Sequence, residues 1–246
     1  MKILVCMSVV PDTTTKISFI ENNTKFNTQG VQFIINPYDE LSLTKAIEIA
    51  EKNGGTVTVA TVGLSDTEPV IRKALAIGAN DAIRVNAEPK DGLQVASLLA
   101  DIVKSNAYDL VLTGRESIDY NGGQICGLLA ELLSWPAVNV CTKIEFENGN
   151  MQFERDIDGG RQNVTCSLPV IASAQKDLCE PRIPNMKGIM AARTKPLSVI
   201  EPNINETGSE YFQFENPVAK QAVRMIDANQ AGDLINILKN EIKILS

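Results

Sequence analysis

Asp109-Leu-Val-Leu-Thr-Gly114-Arg-Glu-Ser-Ile-Asp119-Tyr-Asn-Gly-Gly-Gln124, continued by Ile125-Cys-Gly-Leu-Leu-Ala-Glu-Leu-Leu133, is the stretch on which the fold turns. Leu110 to Leu112 is a short apolar run of the kind a buried parallel strand shows. Leu128, Leu129, Leu132 and Leu133 repeat at helical spacing. Between them a loop carries Gly114, Gly122 and Gly123, which let backbone amides approach a ligand closely. A strand–loop–helix of this kind puts the loop at the carboxyl edge of a parallel sheet, where open α/β folds bind ligands. The helix N-terminus adds unpaired N–H groups and partial positive charge suited to phosphate. The same spacing also fits an ordinary βα connection, for it is neither a Walker A motif nor G-x-G-x-x-G.

Working outward, strands alternate with helices. Residues 2–9 are apolar enough for one central strand, broken at Val10-Pro11-Asp12. Residues 16–20 and 25–27, joined across Asn22-Asn23, suggest a small hairpin. Asn36 precedes Pro37 as an N-cap in front of a helix reaching Asn53, with Asp39 and Glu40 in its first turn and Gly54-Gly55 as its stop. Leu43, Ala46, Ile47 and Ala50 form its inward face. Residues 56–62 form the next strand. Ser65-Asp-Thr-Glu68 has the spacing of a capping box ahead of a helix that buries Val70, Ile71, Ala74 and Leu75 and stops at Gly78. Residues 81–85 are a strand, and Asp91 with Gln94 caps another helix. This alternation calls for a parallel sheet with helices on both faces, a Rossmann-like adenine-nucleotide-binding α/β fold.

After Trp135-Pro136 the period changes. Residues 138–147 and 151–157 alternate across Asn148-Gly149, a strong hairpin signal, so a β-hairpin extension follows the α/β part. Residues 161–168 and the apolar run 169–173 complete it. Residues 180–192 are interrupted by proline and hold a short helix at most. Met186, Ile189 and Met190 there suit either a core or an adaptable docking surface. Residues 202–217 read as an extended linker, and residues 231–244 as a tail helix with Leu234, Ile237 and Leu238 on one face. The division expected is an α/β domain over 1–200, hairpin and docking segment included, and a C-terminal linker and helix over 201–246 that packs on a partner subunit.

The totals exclude several chemistries. The chain has 246 residues and a net charge of −7, which argues against nucleic acid as a partner. Histidine is absent, so there is no histidine-based catalytic triad and no histidine metal ligand. Five cysteines without a C-x-x-C pair fit buried reduced thiols. No metal site and no acid–base or nucleophilic catalytic site is expected. No apolar run reaches membrane-spanning length, and residues 1–5 enter a strand-like run without the design of a secretory signal. The expected compartment is the cytoplasm.

Four segments together resemble the β subunit of electron transfer flavoproteins, over about residues 1–200. They are Val10-Pro11-Asp12; Ile35-Asn36-Pro37-Tyr38-Asp39; Gly114-Arg115-Glu116-Ser117-Ile118-Asp119 with Gln124; and Glu154-Arg155-Asp156-Ile157-Asp158-Gly159-Gly160 with Gln162, Val164 and Pro169. The resemblance implies a heterodimer in which an α subunit holds most of the redox FAD. The complex would carry electrons from flavin dehydrogenases, such as acyl-CoA dehydrogenases, to an acceptor such as a membrane quinone oxidoreductase. The chain itself would be an electron carrier rather than an enzyme acting alone. By position, AMP would contact Cys6, Asn36, Pro37, Tyr38, Asp39, Val62, Gly63, Gly114, Arg115, Ile118, Asp119, Asn121, Gly122, Gly123, Gln124 and Ile125. Asp156 would pair with an arginine of the α subunit, and Met186, Ile189 and Met190 would belong to the docking loop.

The sequence departs from the family at several of these places. Met186 stands where other members place leucine, and Thr13 where some place an aromatic residue. Phe153 and Ala172 depart from aliphatic positions but remain apolar. AMP-binding members tend to have Asn and Thr where Gly123 and Ile125 stand, whereas electron-bifurcating members, which hold a second FAD and use NADH, tend to have Ala and Val. An ATP-binding stress-type module is the alternative of another class, but its late G-x-x-G motif is absent. An ATP-pyrophosphatase would need S-G-G-x-D after the first strand, where this chain has Ser8-Val-Val-Pro-Asp12.

Overall fold

The alternation of short apolar runs with amphipathic stretches builds a central sheet with helices against both faces. A computed structural model describes residues 1–202, 208–209, 211–220 and 222–245. In chain order it begins with β1 (Lys2–Cys6), β2 (Val9–Pro11), β3 (Phe19–Ile20), β4 (Lys25–Phe26), β5 (Phe33–Ile35) and α1 (Pro37–Asn53). Then come β6 (Thr56–Val62), α2 (Glu68–Ile77), β7 (Asp81–Val85), α3 (Gly92–Ser105), β8 (Leu110–Gly114) and α4 (Ile125–Leu133). The remainder is β9 (Ala137–Glu147), β10 (Asn150–Ile157), β11 (Gly160–Cys166), β12 (Val170–Ala174), α5 (Met186–Ala192), β13 (Leu197–Ile200) and α6 (Ala231–Asn236).

Nine strands form one sheet in the order β11-β10-β9-β12-β8-β1-β6-β7-β13. Every pairing from β9 to β13 is parallel, whereas β10 runs antiparallel to both β9 and β11. The α/β reading and its hairpin extension are therefore what the chain forms. Asn148 and Gly149 both have positive φ, at 51° and 82°, as the tight turn between β9 and β10 requires. One core cluster joins Ile3, Val5, Leu43, Ile47, Ile71 and Leu75 under α1 and α2. The opposite face buries Leu4, Leu99, Ile102 and Leu129 under α3 and α4. Phe153 and Ala172 are buried and pack in the first cluster.

Several local expectations change. The apolar run 2–9 is two strands, because the chain leaves the main sheet at Met7-Ser8 and β2 pairs instead with β5. The Ser65–Thr67 segment is a single 3₁₀ turn rather than a capping box. Glu68 is turned instead to the buried Arg84, with Oε1 3.1 Å from Nε. The strand β13 pairs with β7 and extends the sheet at residues that the sequence left unassigned. The tail helix is short, with α6 giving way to a π-turn over Ile237–Glu241.

The expected linker over 202–217 is described only in part, since residues 203–207 and 210 lie outside the described residues. Its described portion touches the domain. The amide of Phe214 donates to the Asn23 carbonyl at 2.7 Å, and the Phe214 ring stacks on Phe19 with centroids 5.0 Å apart. Among the described residues no helix is long and apolar enough to cross a membrane.

Candidate functional site

The carboxyl ends of β1, β6 and β8 lie side by side in the sheet, and α1 and α4 open beside them. Asn36 sits where an N-cap belongs, yet its side chain makes no cap hydrogen bond to α1. It reaches instead across to the loop after β8. Its Nδ2 donates to the Glu116 carbonyl at 2.8 Å, and its Oδ1 accepts from the Ile118 amide at 3.3 Å.

Asp39 acts in the same way. It lies in the first turn of α1 and is buried, at 4% exposure. One carboxylate oxygen accepts from the Ser8 amide and the other from the Gly114 amide, each at 2.7 Å. Burial pushes its carboxyl up to about 7, against the pull of the hydrogen bonds from Ser8, Asn36 and Gly114. The Ser42 hydroxyl, one turn further on, donates to the Thr113 carbonyl at 2.6 Å. Asn36 and two polar side chains of α1 thus fix the end of β8 and the loop after it.

This changes the meaning of the glycines. The Gly114 amide is taken by Asp39 and is not offered to a ligand. Glycine is required there for a different reason, because a Cβ would meet the Asp39 carboxylate and come within 2.7 Å of the Tyr38 Cβ. Gly122 pairs with Ser117 through both of its backbone groups, closing the loop on itself. A Cβ on Gly122 would collide with the Tyr120 ring. Asp119 accepts from the Ser117 hydroxyl at 2.5 Å and from the Tyr120 amide at 3.1 Å, so it braces the same turn. What remains for a ligand is the start of α4. Among the described residues the amides of Gln124, Ile125 and Cys126 have no hydrogen-bond partner, as the first turn of a helix leaves them.

A cleft of about 310 Å³ opens at this point. It is lined by Asp91, Gly92, Tyr120, Asn121, Gly122, Gly123, Gln124, Ser209 and Tyr211. Asn121, Gly122, Gly123 and Gln124 were expected at a ligand site from the sequence. Tyr120 belongs to the same loop, whereas Asp91, Gly92, Ser209 and Tyr211 were not expected. Asp91 had shown itself only as a helix cap, a role it does fill, with Oδ1 accepting from the Gln94 amide at 2.8 Å. Nothing in the sequence pairs Ser209 or Tyr211 with a loop some ninety residues earlier.

The remaining residues expected at a ligand do not line this cleft. Cys6 ends β1 with its thiol in the core, and burial raises its pKa. Gly63 follows Val62 beyond β6; its amide donates to the Val85 carbonyl and its carbonyl accepts from Arg84 Nη1, both at 3.0 Å. Arg115 lies over the Tyr38 ring, 5.8 Å from its centroid, and pairs with Glu116 at 3.2 Å. Pro37 is the first residue of α1. Asp156 is apart from the cleft on β10, half-exposed, 3.5 Å from Arg161 and 3.4 Å from Gln175.

A second surface lies elsewhere on the molecule. Asn185 caps α5, accepting from the Gly188 amide at 2.8 Å. Arg72 of α2 donates to the carbonyls of Ala192 and Lys195, and Lys195 donates back to those of Leu75 and Ala79. At Gly188 the two helices run so close that a Cβ would strike the Ala76 carbonyl. So α5 is clamped on α2 while Met186 and Met190 stand 73% and 68% exposed, with Ile189 partly exposed beside them. These side chains are not core within this chain.

Comparison with known proteins gives the family. Residues 23–205 match the family described as electron transfer flavoprotein domain. The chain is 35% identical to the electron transfer flavoprotein subunit beta of Bacillus subtilis (strain 168), with all of both chains covered. It is 34% identical to the subunit of the same name in Syntrophomonas wolfei, covering 99% of this chain and 98% of that one. The human protein of that name is 32% identical over 82% of each chain.

Proposed function

Since this chain belongs to the electron transfer flavoprotein β-subunit family, we propose that it binds AMP in the cleft before α4, pairs with an FAD-bearing α subunit, and presents α5 to electron donors. One observation carries the nucleotide reading. The end of β8 and the loop after it are held by Asn36 and Asp39, and that loop brings Gly122, Gly123 and Gln124, whose unpaired amide opens α4, to the lining of a cleft. Such amides, with the positive end of the helix, recognise a phosphate. Gly122 and Gly123 keep side chains out of its way. The size of the cleft is at the low end for ligand pockets, which favours a mononucleotide over a dinucleotide.

The donor reading rests on α5. Exposed methionines on a rigidly clamped helix give a surface that is fixed in position and adaptable in shape. Flavin dehydrogenases, acyl-CoA dehydrogenases among them, are the donors of this reading, and a membrane quinone oxidoreductase is the acceptor. Asp156 lies on a different part of the sheet and is the residue proposed to meet an arginine of the α subunit. FAD, when bound by the α subunit, supplies the redox chemistry. The residues of this chain position and recognise.

Flavin and nucleotide counts per purified heterodimer test the proposal. One FAD and one AMP are expected. Two FAD per heterodimer, with NADH driving reduction of two acceptors at once, would replace AMP by a second flavin in this subunit. No nucleotide at all would reject the cleft as a nucleotide site.

A further inference from the structure

We infer that Arg155 and Ile157, on one face of β10, meet an acidic side chain of the α subunit, so that the partner grips the tip of the β10–β11 hairpin from both faces; this rests on the chain pairing with an α subunit. Met151 and Phe153 are buried on this face in the core cluster. Alternation along the strand brings Arg155 and Ile157 to the same side. Arg155 is half-buried, and its Nε is out of water with no hydrogen-bond partner among the described residues. A buried donor left unpaired costs free energy, the more so on a charged group. The two flanking carboxylates do not serve it. Glu154 accepts from Arg161 Nη1 at 2.9 Å and from the Thr142 hydroxyl at 3.1 Å. Asp156 lies 3.5 Å from Arg161 Nε and 3.4 Å from Gln175 Nε2. Both stand on the opposite face of the strand.

The neighbouring strand withholds a partner as well. Lys143 of β9 pairs with Glu154, but a bulge then sets Cys141 rather than Thr142 against Arg155. Unbroken alternation would put the Thr142 hydroxyl beside Arg155; the bulge turns it to Glu154 on the other face. Burial pushes the Cys141 thiol up to about 12, with the Arg155 charge pulling the other way, so it stays neutral and offers no counter-charge. The bulge is held against resistance, because Val140 has a φ of 63°, a left-handed conformation that a β-branched residue disfavours. Bulges re-aim side chains next to functional sites. Ile157, beside Arg155, is 45% exposed and directly precedes the turn into β11. A guanidinium without a counter-charge next to an exposed aliphatic group complements a carboxylate set in an apolar protein surface. Asp156, proposed to meet an arginine of the α subunit, is one residue away on the opposite face. A single surface closing around the hairpin tip reaches both.

The full-length chain is compared with Arg155→Leu and Arg155→Lys, alone by thermal denaturation and as the co-purified heterodimer by sedimentation on dilution. Arg155→Leu is expected to leave the Tm of the chain alone unchanged or higher, since an apolar group replaces a partly buried charge that has no internal counter-charge. In the heterodimer it raises the dissociation constant about tenfold, as loss of an interface arginine does. Arg155→Lys recovers part of the affinity. Carbodiimide, which joins an amine to a carboxylate, then couples the introduced amine to an aspartate or glutamate of the α subunit, located by mass spectrometry. An Arg155→Leu heterodimer as tight as the wild type, or a variant chain that by itself melts far lower, would overturn the inference while leaving the pairing intact. Weakening that disappears once FAD is removed from the heterodimer would also overturn it, assigning Arg155 to a flavin phosphate. A wild-type chain that does not bind the α subunit would reject the pairing itself, and the role of Arg155 with it.

Discussion

The Asp39 carboxylate should give the chain a pH dependence of stability that one substitution isolates. Its pKa is raised from 3.8 to about 7 in the folded chain, chiefly by burial. Between those two values the folded chain holds a proton that the unfolded chain has released. Stability from this group is therefore complete below about pH 4 and falls as pH rises toward 7. At about 1.4 kcal/mol per pH unit, the interval corresponds to roughly 4 kcal/mol as an upper bound. Asp39→Asn has nearly the same shape but does not titrate. It keeps one acceptor for the amides of Ser8 and Gly114 and sets an NH₂ group against the other. The variant therefore starts below the wild type in acid, by about 1–3 kcal/mol for the amide left unpaired. Its disadvantage then shrinks as the pH rises. Urea denaturation of both chains at pH 4, 5, 6 and 7 measures this. A wild-type-minus-variant difference that stays flat, or that grows with pH, would show that the paired amides outweigh burial and that Asp39 is ionised throughout.

Gly114→Ala places a methyl group against Asp39 and Tyr38, and overpacking of this kind costs about 1–3 kcal/mol. A chain of this size should melt about 3–9 °C lower by thermal denaturation, and an unchanged Tm would mean the loop gives way freely. Met186→Ala should slow reduction by a donor dehydrogenase in stopped-flow assays with Tm within a few degrees, because the side chain is largely exposed; a large loss of stability with unchanged rates would make it structural. Gly188→Ala forces α5 off the Ala76 carbonyl and should slow the same step while nucleotide content stays intact. Equal rates for that variant would show that donors do not need α5 where the clamp holds it.

Much of the fold was legible because local signals and long-range packing agree. The strands Thr56–Val62 and Asp81–Val85 stand where alternation put them, and Gly54 and Gly78 end their helices at positive φ. The misses share one cause. The run 2–9 is apolar throughout, so periodicity cannot see it divide; the division lies at Ser8, whose amide is held by Asp39. The edge strand Leu197–Ile200 is mostly exposed and carries no buried alternation of its own. It is a strand because β7 offers an open edge, and the bonds from Ala82 to the Pro196 carbonyl and from Asn86 to the Ile200 carbonyl flank the pairing.

The site was legible in location but not in wiring. Asp39 suited the first turn of a helix on charge alone, and Asn36 suited its cap; both face away from those roles toward a loop that begins about eighty residues later. Gly114 pointed to a ligand, yet its amide belongs to Asp39. The consequence reaches function. A loop held open by a ligand collapses without it, whereas this loop is held by buried side chains of the same chain. The end of β8 and the loop leading to α4 are therefore ordered without any ligand, and on the proposed phosphate reading ordering that loop is not charged against binding.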